Sequence, residues 1–399
     1  MNDQNIRLSS AKIFLKFLKF GSLAWGGPIA QIAMLRKELV EEEKWVSPER
    51  FNKALGVYQV LPGPEAHEMC VWFGMIAGGR LGGFLAGLGF MLPGFLLMMA
   101  LTLFYVNFGI KNQLLQSVFF GFQAAVIALI FSAVHRLGKH TLHTKELLVI
   151  AGVSALASYA GVHFLIILLL TGLAYFFFQK SKKLLSLLLM LSLVAASLLI
   201  YLKPDKPELQ QVKPDAVNIR VEKQSYTDVL ITGLKGGLLT FGGAYTAIPF
   251  IQEDAVEHHQ WMTNDQFLDG IALSGILPAP LIIFSVFVGY FGAGWIGMFL
   301  ITLGIFLPAF AFTLAGHKLI DFIIDNKSIH YFLQGVTAGV IGLIAVTAIH
   351  LFVSTITGWL AVVIFGISLL ILYRFPSKFT PVFVIIGSGI LALIFNLIT

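Results

Sequence analysis

Charged residues are scarce in this sequence. Asp, Glu, Lys and Arg together form 12% of the 399 residues, whereas hydrophobic residues form 57%, and the mean hydropathy is +0.85. A soluble globular domain carries about a quarter charged residues, so a water-soluble fold could not cover this much apolar surface. A lipid bilayer accepts such surface, and the composition therefore predicts an integral membrane protein.

Other absences narrow the function. The single cysteine, Cys70, excludes an intrachain disulfide. A phosphate-binding loop of the form GxxxxGK[ST] does not occur, which argues against direct drive by ATP. No second histidine follows His67 and Glu68 at the spacing of a zinc protease, so no metal and no cofactor are expected. The net charge is +6, but Lys and Arg lie mostly between hydrophobic runs, where membrane topology accounts for them, and no nucleic-acid partner is predicted.

The hydrophobic residues are grouped into about thirteen runs, some of them short for a bilayer about 30 Å thick. The runs lie at roughly 12–35, 51–77, 82–107, 114–136, 146–160, 163–179, 184–202, 226–250, 266–291, 293–316, 330–352, 358–373 and 380–398. The predicted domains are a first membrane repeat with an extra linking span (1–202), a polar linker (203–225) and a second membrane repeat (226–399). The predicted fold is an all-α integral membrane protein.

An internal repeat organises the chain. The pair Gly26-Gly27 in the first half corresponds to Gly242-Gly243 in the second. The same spacing, and after one deletion a spacing one residue shorter, aligns further residues of the two halves. The aligned pairs are Glu38 with Asp254, Trp45 with Trp261, Ser47 with Thr263, Phe51 with Phe267, Pro62 with Pro278, Pro64 with Pro280, Gly82 with Gly297, Gly89 with Gly304 and Pro93 with Pro308. Chance does not easily keep Trp, Pro and Gly in register this long, so the chain contains a duplication.

The duplication favours a transporter or a channel whose site lies where the copies meet. About six segments fall in each copy and one lies between them, so an odd number of spans would insert the second copy upside down, as an inverted repeat. Loop charges support opposite faces: the loop after the first Gly-Gly pair is basic, and its counterpart from Gln252 to Asp269 has acidic residues and no Lys or Arg. The basic N-terminal tail fits this scheme only if the first segment is re-entrant, and the absolute orientation stays open.

A glycine pair interrupts a hydrophobic segment in each half. Trp25-Gly26-Gly27-Pro28 is echoed by Phe241-Gly242-Gly243-Ala244. Two glycines beside a proline break a helix, and the freed backbone N–H groups need a partner in the membrane. Because the start of a half-helix is partly positive, it suits an anion. Close helix packing by small residues is the alternative, but the duplication favours a substrate site that includes Gly26, Gly27, Pro28, Gly242 and Gly243.

A Pro-x-Pro motif follows in each half. The motif is Pro62-Gly63-Pro64 in the first copy and Pro278-Ala279-Pro280 in the second, and both predict an unwound stretch at the substrate site. Only the first copy continues with ionisable residues, namely Glu65, His67 and Glu68. Such residues inside a membrane are usually functional, and histidine titrates near neutral pH. We therefore predict that these three residues couple transport to protons, unless the stretch lies in water at the membrane surface.

Other polar residues near the breaks are candidate ligands or guides for an anion. The candidate ligands are Gln31, Tyr245, Thr246, Ser274 and Ser285. Each of them could instead hydrogen-bond between helices. The candidate steering residues are Arg36, Lys37, Arg80 and Lys235. Snorkelling to the membrane surface is the alternative for these long cationic side chains.

These motifs resemble those of the chromate ion transporter family, in its long form with two domains. The resemblance covers essentially the whole chain. It rests on Phe20-Gly21, Trp25-Gly26-Gly27-Pro28, Trp45 and Leu61-Pro62-Gly63-Pro64, and on Thr240-Phe241-Gly242-Gly243-Ala244-Tyr245, Trp261 and Leu277-Pro278-Ala279-Pro280. It implies export of chromate from a bacterial cytoplasm across the inner membrane, with sulfate as a structural mimic. Ala244 stands where the first copy has Pro28, so the two breaks need not be equivalent.

Three alternative functions remain from the sequence. They are a carrier for sulfate or another anion, an anion channel, and an intramembrane enzyme, for which the sequence offers no nucleophile–base set. The predicted partners are a chromate-like oxyanion and the lipid bilayer, and a homodimer is compatible with the sequence. A membrane scaffold that transports nothing would not explain the duplicated breaks.

Overall fold

The protein is built from helices. A computed structural model describes residues 6–59, 61–109, 111–202, 225–315 and 326–398. Within these ranges the secondary structure is helical and no strand occurs, which confirms the all-α prediction. Nearly all of the predicted polar linker at 203–225 lies outside the described residues.

Each half contains a series of helices of very different lengths. Those of the first half are α1 (Ser10–Ser22), α2 (Gly27–Leu35), α3 (Pro48–Tyr58), α4 (Glu65–Phe104), α5 (Gln113–Thr141), α6 (Lys145–Tyr159), α7 (Phe164–Gln179) and α8 (Lys183–Tyr201). Those described in the second half are α9 (Tyr226–Leu238), α10 (Ile248–Gln252), α11 (Asn264–Gly275), α12 (Ser285–Leu314), α13 (Lys327–Thr355), α14 (Trp359–Arg374) and α15 (Thr380–Ile398). Short π-helical segments, Arg36–Glu42 and Glu253–His258, extend α2 and α10.

Six stretches are long and apolar enough to cross a membrane. They are Glu65–Gly109, Gln113–Thr141, Lys183–Tyr201, Leu281–Ala315, Lys327–Thr355 and Thr380–Ile398. Two shorter apolar helices, Phe164–Gln179 and Trp359–Arg374, join them. The protein is therefore a multi-pass membrane protein, and the total of about thirteen segments stays a prediction.

The two halves bend and cap at equivalent positions. The helices α3 and α11 both start after a hydroxyl residue, Ser47 or Thr263, whose side chain accepts a hydrogen bond from a backbone N–H of the first turn. Lys44 and Gln260, at matching places before these caps, share a left-handed backbone with φ of 54° and 53°. The extra helix α8 has no counterpart among the described helices of the second half. The fold thus repeats the pattern that the sequence repeats.

The helix α4 contains a chain reversal. Its backbone is non-helical at Gly78 and Gly79, and α12 has the same interruption at Ala293 and Gly294. A Cβ atom added to Gly87 would lie 2.7 Å from the Val71 side chain, although sixteen residues of continuous helix would span about 24 Å. Each helix is therefore a hairpin, and we call residues 80–104 and 295–314 the return arms.

The chain on the N-terminal side of each return arm folds back on itself. Lys16 in α1 forms an ion pair of 3.1 Å with Glu38, which lies beyond the first Gly-Gly pair. The ring of Phe51 at the start of α3 lies 6.2 Å from the ring of Phe73, near the end of the first arm of α4. In the first copy, the stretches 12–35 and 51–77 therefore each begin and end on the same side. The Gly-Gly break and the Pro-x-Pro break lie at their turning points. The predicted segments at 12–35 and 51–77 are thus pairs of short helices. The basic N-terminal tail and the basic first loop are compatible only with a re-entrant first segment.

Glycines pack the first helix of each copy against its return arm. A Cβ atom added to Gly21 in α1 would lie 2.2 Å from the carbonyl oxygen of Phe90, and one added to Gly237 in α9 would lie 2.4 Å from that of Ile305. These two contacts occupy equivalent places in the copies. Small residues permit this close approach of helices inside a membrane.

The two return arms run antiparallel to each other. The rings of Phe84 and Phe310 are 5.5 Å apart, and those of Phe95 and Phe299 are 5.1 Å apart. An early residue of one arm thus meets a late residue of the other in both contacts. Because the residues are equivalent in pairs, the contact is reciprocal between the copies.

Contacts divide the chain into two compact units. The first comprises Met1–Ile130, Val221–Ile320 and Val353–Thr399, and the second comprises Phe131–Arg220 and Asp321–Phe352. The first unit contains all four breaks. Within the second unit, the Ser154 hydroxyl donates to the Gly339 carbonyl oxygen over 2.7 Å. Division of the chain at 202 and 226 remains a prediction about the repeats.

Candidate functional site

The two Gly-Gly pairs have backbone conformations that require glycine. The φ angles are 93° and 75° at Gly26 and Gly27, and 73° and 132° at Gly242 and Gly243. A Cβ atom added to Gly27 or Gly243 would meet nothing within 4 Å, so close helix packing does not explain either residue. These glycines serve the break itself, in contrast to Gly21, which packs against another helix.

The chain continues differently after the two glycine pairs. Pro28 is the second residue of α2 in the first copy. In the second copy a short 3-10 turn, Ala244–Ala247, precedes α10. Thr246 stabilises this turn, because its hydroxyl donates to the Gly243 carbonyl over 2.6 Å and accepts from the Phe241 N–H over 3.0 Å. The breaks are thus similar but not identical, as the Ala244 substitution suggests.

The Pro-x-Pro segments lie where the two copies meet. The Gly63 N–H donates to the Thr240 carbonyl oxygen over 2.9 Å, which joins the first Pro-x-Pro to the residue before the Phe241-Gly242-Gly243 break. A Cβ atom added to Gly63 would lie 3.4 Å from Ala309 of the opposite return arm, and one added to Gly94 would lie 2.5 Å from Ala279. Each Pro-x-Pro segment therefore packs on the return arm of the other copy.

Three ionisable side chains at the start of α4 are buried in protein and not exposed at a wet surface. Glu65 is 6% exposed, and His67 and Glu68 are fully buried. Neither carboxylate oxygen of Glu68 has a hydrogen-bond partner in the described residues. The His67 ring lies between Phe306 and Phe310, with both ring centroids 4.7 Å away. The first copy thus supplies the ionisable groups, and the second supplies the aromatic walls.

Unpartnered polar atoms concentrate around these breaks. Among the described residues, besides Glu68 and His67, they include Gln31 Oε1, Ser285 Oγ and the hydroxyls of Tyr58 and Thr313, which lie close to each other. Buried polar groups in proteins almost always have partners, so a group of unpartnered ones indicates a place for a polar ligand or for water. Tyr58 faces Glu68 and Thr313. Tyr58 and Thr313 are not recognisable from the sequence, except that each is a polar residue in an apolar stretch.

The other candidate ligands have varied surroundings. The Gln31 amide donates to the Ala24 carbonyl oxygen over 2.8 Å and keeps its own oxygen unpartnered. The Ser274 hydroxyl donates to the Leu281 carbonyl oxygen over 2.9 Å and so bridges the second Pro-x-Pro segment. Tyr245 is partly exposed next to the second glycine pair. Ser274 therefore has a structural role, whereas Gln31 keeps an acceptor atom without a partner.

Three of the four predicted steering cations are in ion pairs. Arg36 lies 3.2 Å from Glu41, and Lys37 lies 3.9 Å from Glu42. Lys235 lies 2.9 Å from Asp254. Arg80 is exposed directly after the reversal in α4. Neutralised cations steer an anion weakly, so Arg80 is the strongest of the four candidates.

An ion pair between the first helix and the π-helical segment occurs in both copies. Lys19 lies 3.3 Å from Glu38 in the first copy, and its counterpart Lys235 contacts Asp254 in the second. Burial alone would raise the pKa of Glu38, but Lys16 and Lys19 outweigh it and lower that pKa below the usual range. In the second copy, burial raises the pKa of Glu253 to about 7. Glu253 precedes Asp254 in the sequence and aligns with Lys37, so a carboxyl group with a raised pKa occurs in the second copy where the first copy has a lysine.

A buried carboxylate links the copies at a second place. The Tyr105 hydroxyl donates to Asp269 Oδ2 over 2.6 Å, and the Gln123 amide donates to Asp269 Oδ1 over 2.9 Å. The sequence places Asp269 in an acidic loop, but it is 4% exposed on α11 and contacts two elements of the first copy. This part of the loop interpretation is wrong, because α11 begins five residues earlier than Asp269 and turns that side chain into the protein.

The family comparison matches the repeat. The model of the chromate transporter family matches residues 11–176 and again residues 227–393. The two matches correspond to the two copies. They leave α8, the extra helix between the copies, entirely outside.

Full-length and half-length relatives are found. A chromate transport protein of Pseudomonas aeruginosa is 50% identical over 96% of this chain and 92% of its own length. A chromate transport protein of Cupriavidus metallidurans is 27% identical over 96% of this chain and 92% of its own length. An uncharacterized transporter of Bacillus subtilis is 31% identical over 38% of this chain and 86% of its own length. No solved structure matches. By its two family matches and these relatives, the chain belongs to the chromate transporter family, the function of which is chromate transport across a membrane.

Proposed function

We propose that this protein is a secondary transporter that exports chromate, a tetrahedral oxyanion, across the bacterial inner membrane. The anion binds between the two Gly-Gly breaks and the two Pro-x-Pro breaks. The observation that carries this proposal is the meeting of breaks from both copies at Gly63 and Thr240, beside buried polar atoms that have no partner among the described residues. Transport sites at the junction of repeats, built from interrupted helices, have this form.

Backbone groups are the main anion donors in this proposal. No Lys or Arg is among the buried side chains of the described residues, so a buried cation does not hold the anion there. Interrupted helices instead offer N–H groups and a partial positive charge at their first turns. The hydroxyls of Tyr58, Ser285 and Thr313 add donors without charge. A neutral site of this kind binds a dianion and can also release it.

Proton coupling is proposed to run through Glu65, His67 and Glu68. An ionised Glu68 has no hydrogen-bond partner in the described residues and would repel a dianion in the same region. Anion binding and protonation of this carboxylate therefore favour each other, because binding linkage is reciprocal. We expect chromate to bind more tightly as the pH falls, and we expect removal of the ionisable group to abolish this dependence.

Inverted copies would provide alternating access. The antiparallel contacts Phe84–Phe310 and Phe95–Phe299 support an inverted relation between equivalent return arms. The number of crossings supports it as well. If the re-entrant stretches do not cross, the chain crosses the membrane three times in the return arm, α5 and α8 and twice in the pair α6–α7. This total is odd, so the second copy starts on the opposite side from the first. Exchange of conformation between inverted copies would switch the open side.

The membrane potential supports the export direction. Each elementary charge gains about 2.3 kcal/mol per 100 mV, so a dianion leaving a negative interior gains about 4–5 kcal/mol. If one proton travels with the dianion, the complex still carries a negative charge and is still driven outward. Export therefore needs no further energy source as long as the cell maintains its potential.

Everted membrane vesicles would test the transport activity. We expect vesicles that contain the protein to accumulate chromate, sulfate to compete, and a protonophore to reduce the accumulation. Sulfate uptake that chromate does not inhibit would assign a different substrate. Single-channel currents without counterflow would identify a channel.

The variants Glu65→Gln and Glu68→Gln would test the coupling. We expect Glu68→Gln to bind chromate with an affinity that no longer changes between pH 6 and pH 8, whereas the wild-type affinity should fall about tenfold per pH unit in the range where one proton is linked to binding. Leu281→Gln, at the position in the second copy that corresponds to Glu65, is the matched control. Normal transport at every pH by both glutamine variants would contradict the coupling.

A further inference from the structure

Asp269 is a buried carboxylate that the proposed mechanism does not yet use. Its two oxygens accept hydrogen bonds from Tyr105 and from Gln123, at 2.6 Å and 2.9 Å. Both partners are neutral. A buried carboxylate without a paired cation is costly when ionised, so the position favours a group that can also take up a proton.

The location of Asp269 is as informative as its burial. It lies on α11, which ends shortly before the second Pro-x-Pro segment. Tyr105 follows α4 directly, in the π-helical segment Tyr105–Gly109, and Gln123 lies on α5. Both partners belong to the first copy, so the cluster ties a helix beside the breaks of one copy to the other copy.

Protonation would change this tie between the copies. An ionised Asp269 accepts strong hydrogen bonds from both donors, because bonds to charged acceptors are roughly twice as strong as neutral ones. A protonated Asp269 has one acceptor fewer, and its own O–H can be accepted by the Tyr105 hydroxyl only if that hydroxyl stops donating to Asp269. The contact between the copies is therefore strong in one protonation state and weak in the other.

We infer that Asp269 is a second proton-carrying residue of the transport cycle, with Tyr105 and Gln123 as its positioning residues. This inference rests on the proposed function, because it requires the copies to move relative to each other. Proton uptake by Asp269 loosens the contact and permits the movement of α11. Proton release restores the contact after the anion has left.

The neighbouring ionisable groups are few. Tyr105 faces Asp269 from the end of α4, and Asp265 lies one turn earlier on the same helix. Of the other elements that pack near α11, α12 contains Tyr290, whereas α15 and the segment Leu281–Phe284 contain no ionisable residue. The ionisable residues of α4 are Glu65, His67, Glu68, Cys70 and Arg80, none of which makes a described contact with Asp269. The protonation of Asp269 is thus controlled mainly by its burial and by its two hydrogen-bond donors, and the exposed Asp265 has the smallest influence.

Asp269→Asn in proteoliposomes would test the inference, with Asp265→Asn as the matched control. The control makes the same chemical change one turn away, at an exposed side chain. We would measure chromate counterflow and, with a pH-sensitive dye inside the liposomes, the proton movement that accompanies net chromate transport. We expect Asp269→Asn to change the rate of chromate counterflow by less than about twofold relative to the wild type and to reduce proton movement by at least about tenfold. We expect Asp265→Asn to change neither rate.

The outcomes separate this inference from the proposed function. Normal proton movement by Asp269→Asn would overturn the inference alone. Wild-type liposomes that exchange no chromate would overturn the proposed function and this inference with it, and wild-type exchange without proton movement would overturn both coupling assignments. If Asp269→Asn does not fold, Tyr105→Phe is the second variant. We expect it to shift the pH midpoint of net transport, whereas a purely structural hydrogen bond would lower the melting temperature and leave that midpoint unchanged.

Discussion

The Pro-x-Pro segments of the two copies share a fold position and differ in chemistry. Each lies against the return arm of the other copy, through Gly63 with Ala309 and through Ala279 with Gly94. Beyond this point the first copy continues with Glu65, and the second continues with the apolar Leu281–Phe284 turn. Glycine and proline thus preserve a shape in both copies, while ionisable chemistry is present in one.

This difference indicates a division of labour. A symmetric shape can open alternately to the two sides, but two identical acidic clusters would place four carboxylates around one dianion and repel it. With carboxylates in one copy, proton binding and anion binding are linked at a single place. The second copy supplies Phe306 and Phe310 from its return arm, and these apolar rings enclose His67.

The largest effect is expected from substitutions of the residues between the prolines, in which each copy receives the residue of the other. Gly63 has a φ of 147°, and a Cβ atom there would lie 2.9 Å from Glu68 Oε1. Its counterpart Ala279 already carries a Cβ atom. We expect Gly63→Ala to reduce chromate counterflow by at least about tenfold, because the strained backbone and the displaced Glu68 both disturb the site. Ala279→Gly should change counterflow by less than about twofold, and equal losses in the two variants would contradict the asymmetry.

The duplicated corner ion pair gives a second comparison. Asp254 has a side-chain exposure of 2%, and Lys235 is its lysine partner, whereas Glu38 is 23% exposed and shares two lysines. We expect Lys235→Met to lower the free energy of unfolding by about 3 kcal/mol, because it leaves a buried carboxylate without its cation. Lys19→Met should cost about 0.5 kcal/mol or less. Thermal unfolding of both variants in detergent would measure the difference, and a larger loss for Lys19→Met would reverse our assignment.

The third comparison concerns the residue that follows the chain reversal in each hairpin. It has the smallest expected effect. Arg80 follows the turn in α4, and the equivalent residue in α12 is the exposed Trp295. If Arg80 steers the anion, Arg80→Gln should raise the KM for chromate by about two- to threefold at low ionic strength and have little effect near 1 M salt, where the screening length is about 3 Å. Trp295→Gln is the control. A KM increase that is independent of salt would indicate a direct contact instead of steering.

The sequence predicts the breaks well because glycine and proline act locally. Gly26-Gly27 and Gly242-Gly243 all have positive φ, which glycine permits without a steric cost, and duplication adds a second occurrence of the pattern. Hydropathy does not distinguish a crossing from a fold-back. The run at 51–77 therefore looks like one span, although α3 ends at Tyr58 and α4 starts anew at Glu65.

Residue pairs that are distant in the chain were beyond sequence reasoning. Tyr105 and Asp269 are separated by 164 positions, and no periodic pattern connects them. The acidic residues around Asp269 suggested a solvated loop, whereas only the start of α11 determines that this side chain points inward. The unpartnered atoms of Tyr58 and Thr313 likewise depend on the contact between α3 and the second return arm.

The one cysteine of the chain can report when its surroundings become accessible to water. Cys70 is fully buried, two residues after Glu68 on the first arm of α4. A thiol reagent has no other target, and it can react only when this arm becomes accessible to water. The labelling rate of the unmodified protein therefore measures how often the region opens, and a dependence of that rate on chromate would follow the movement without any engineered residue.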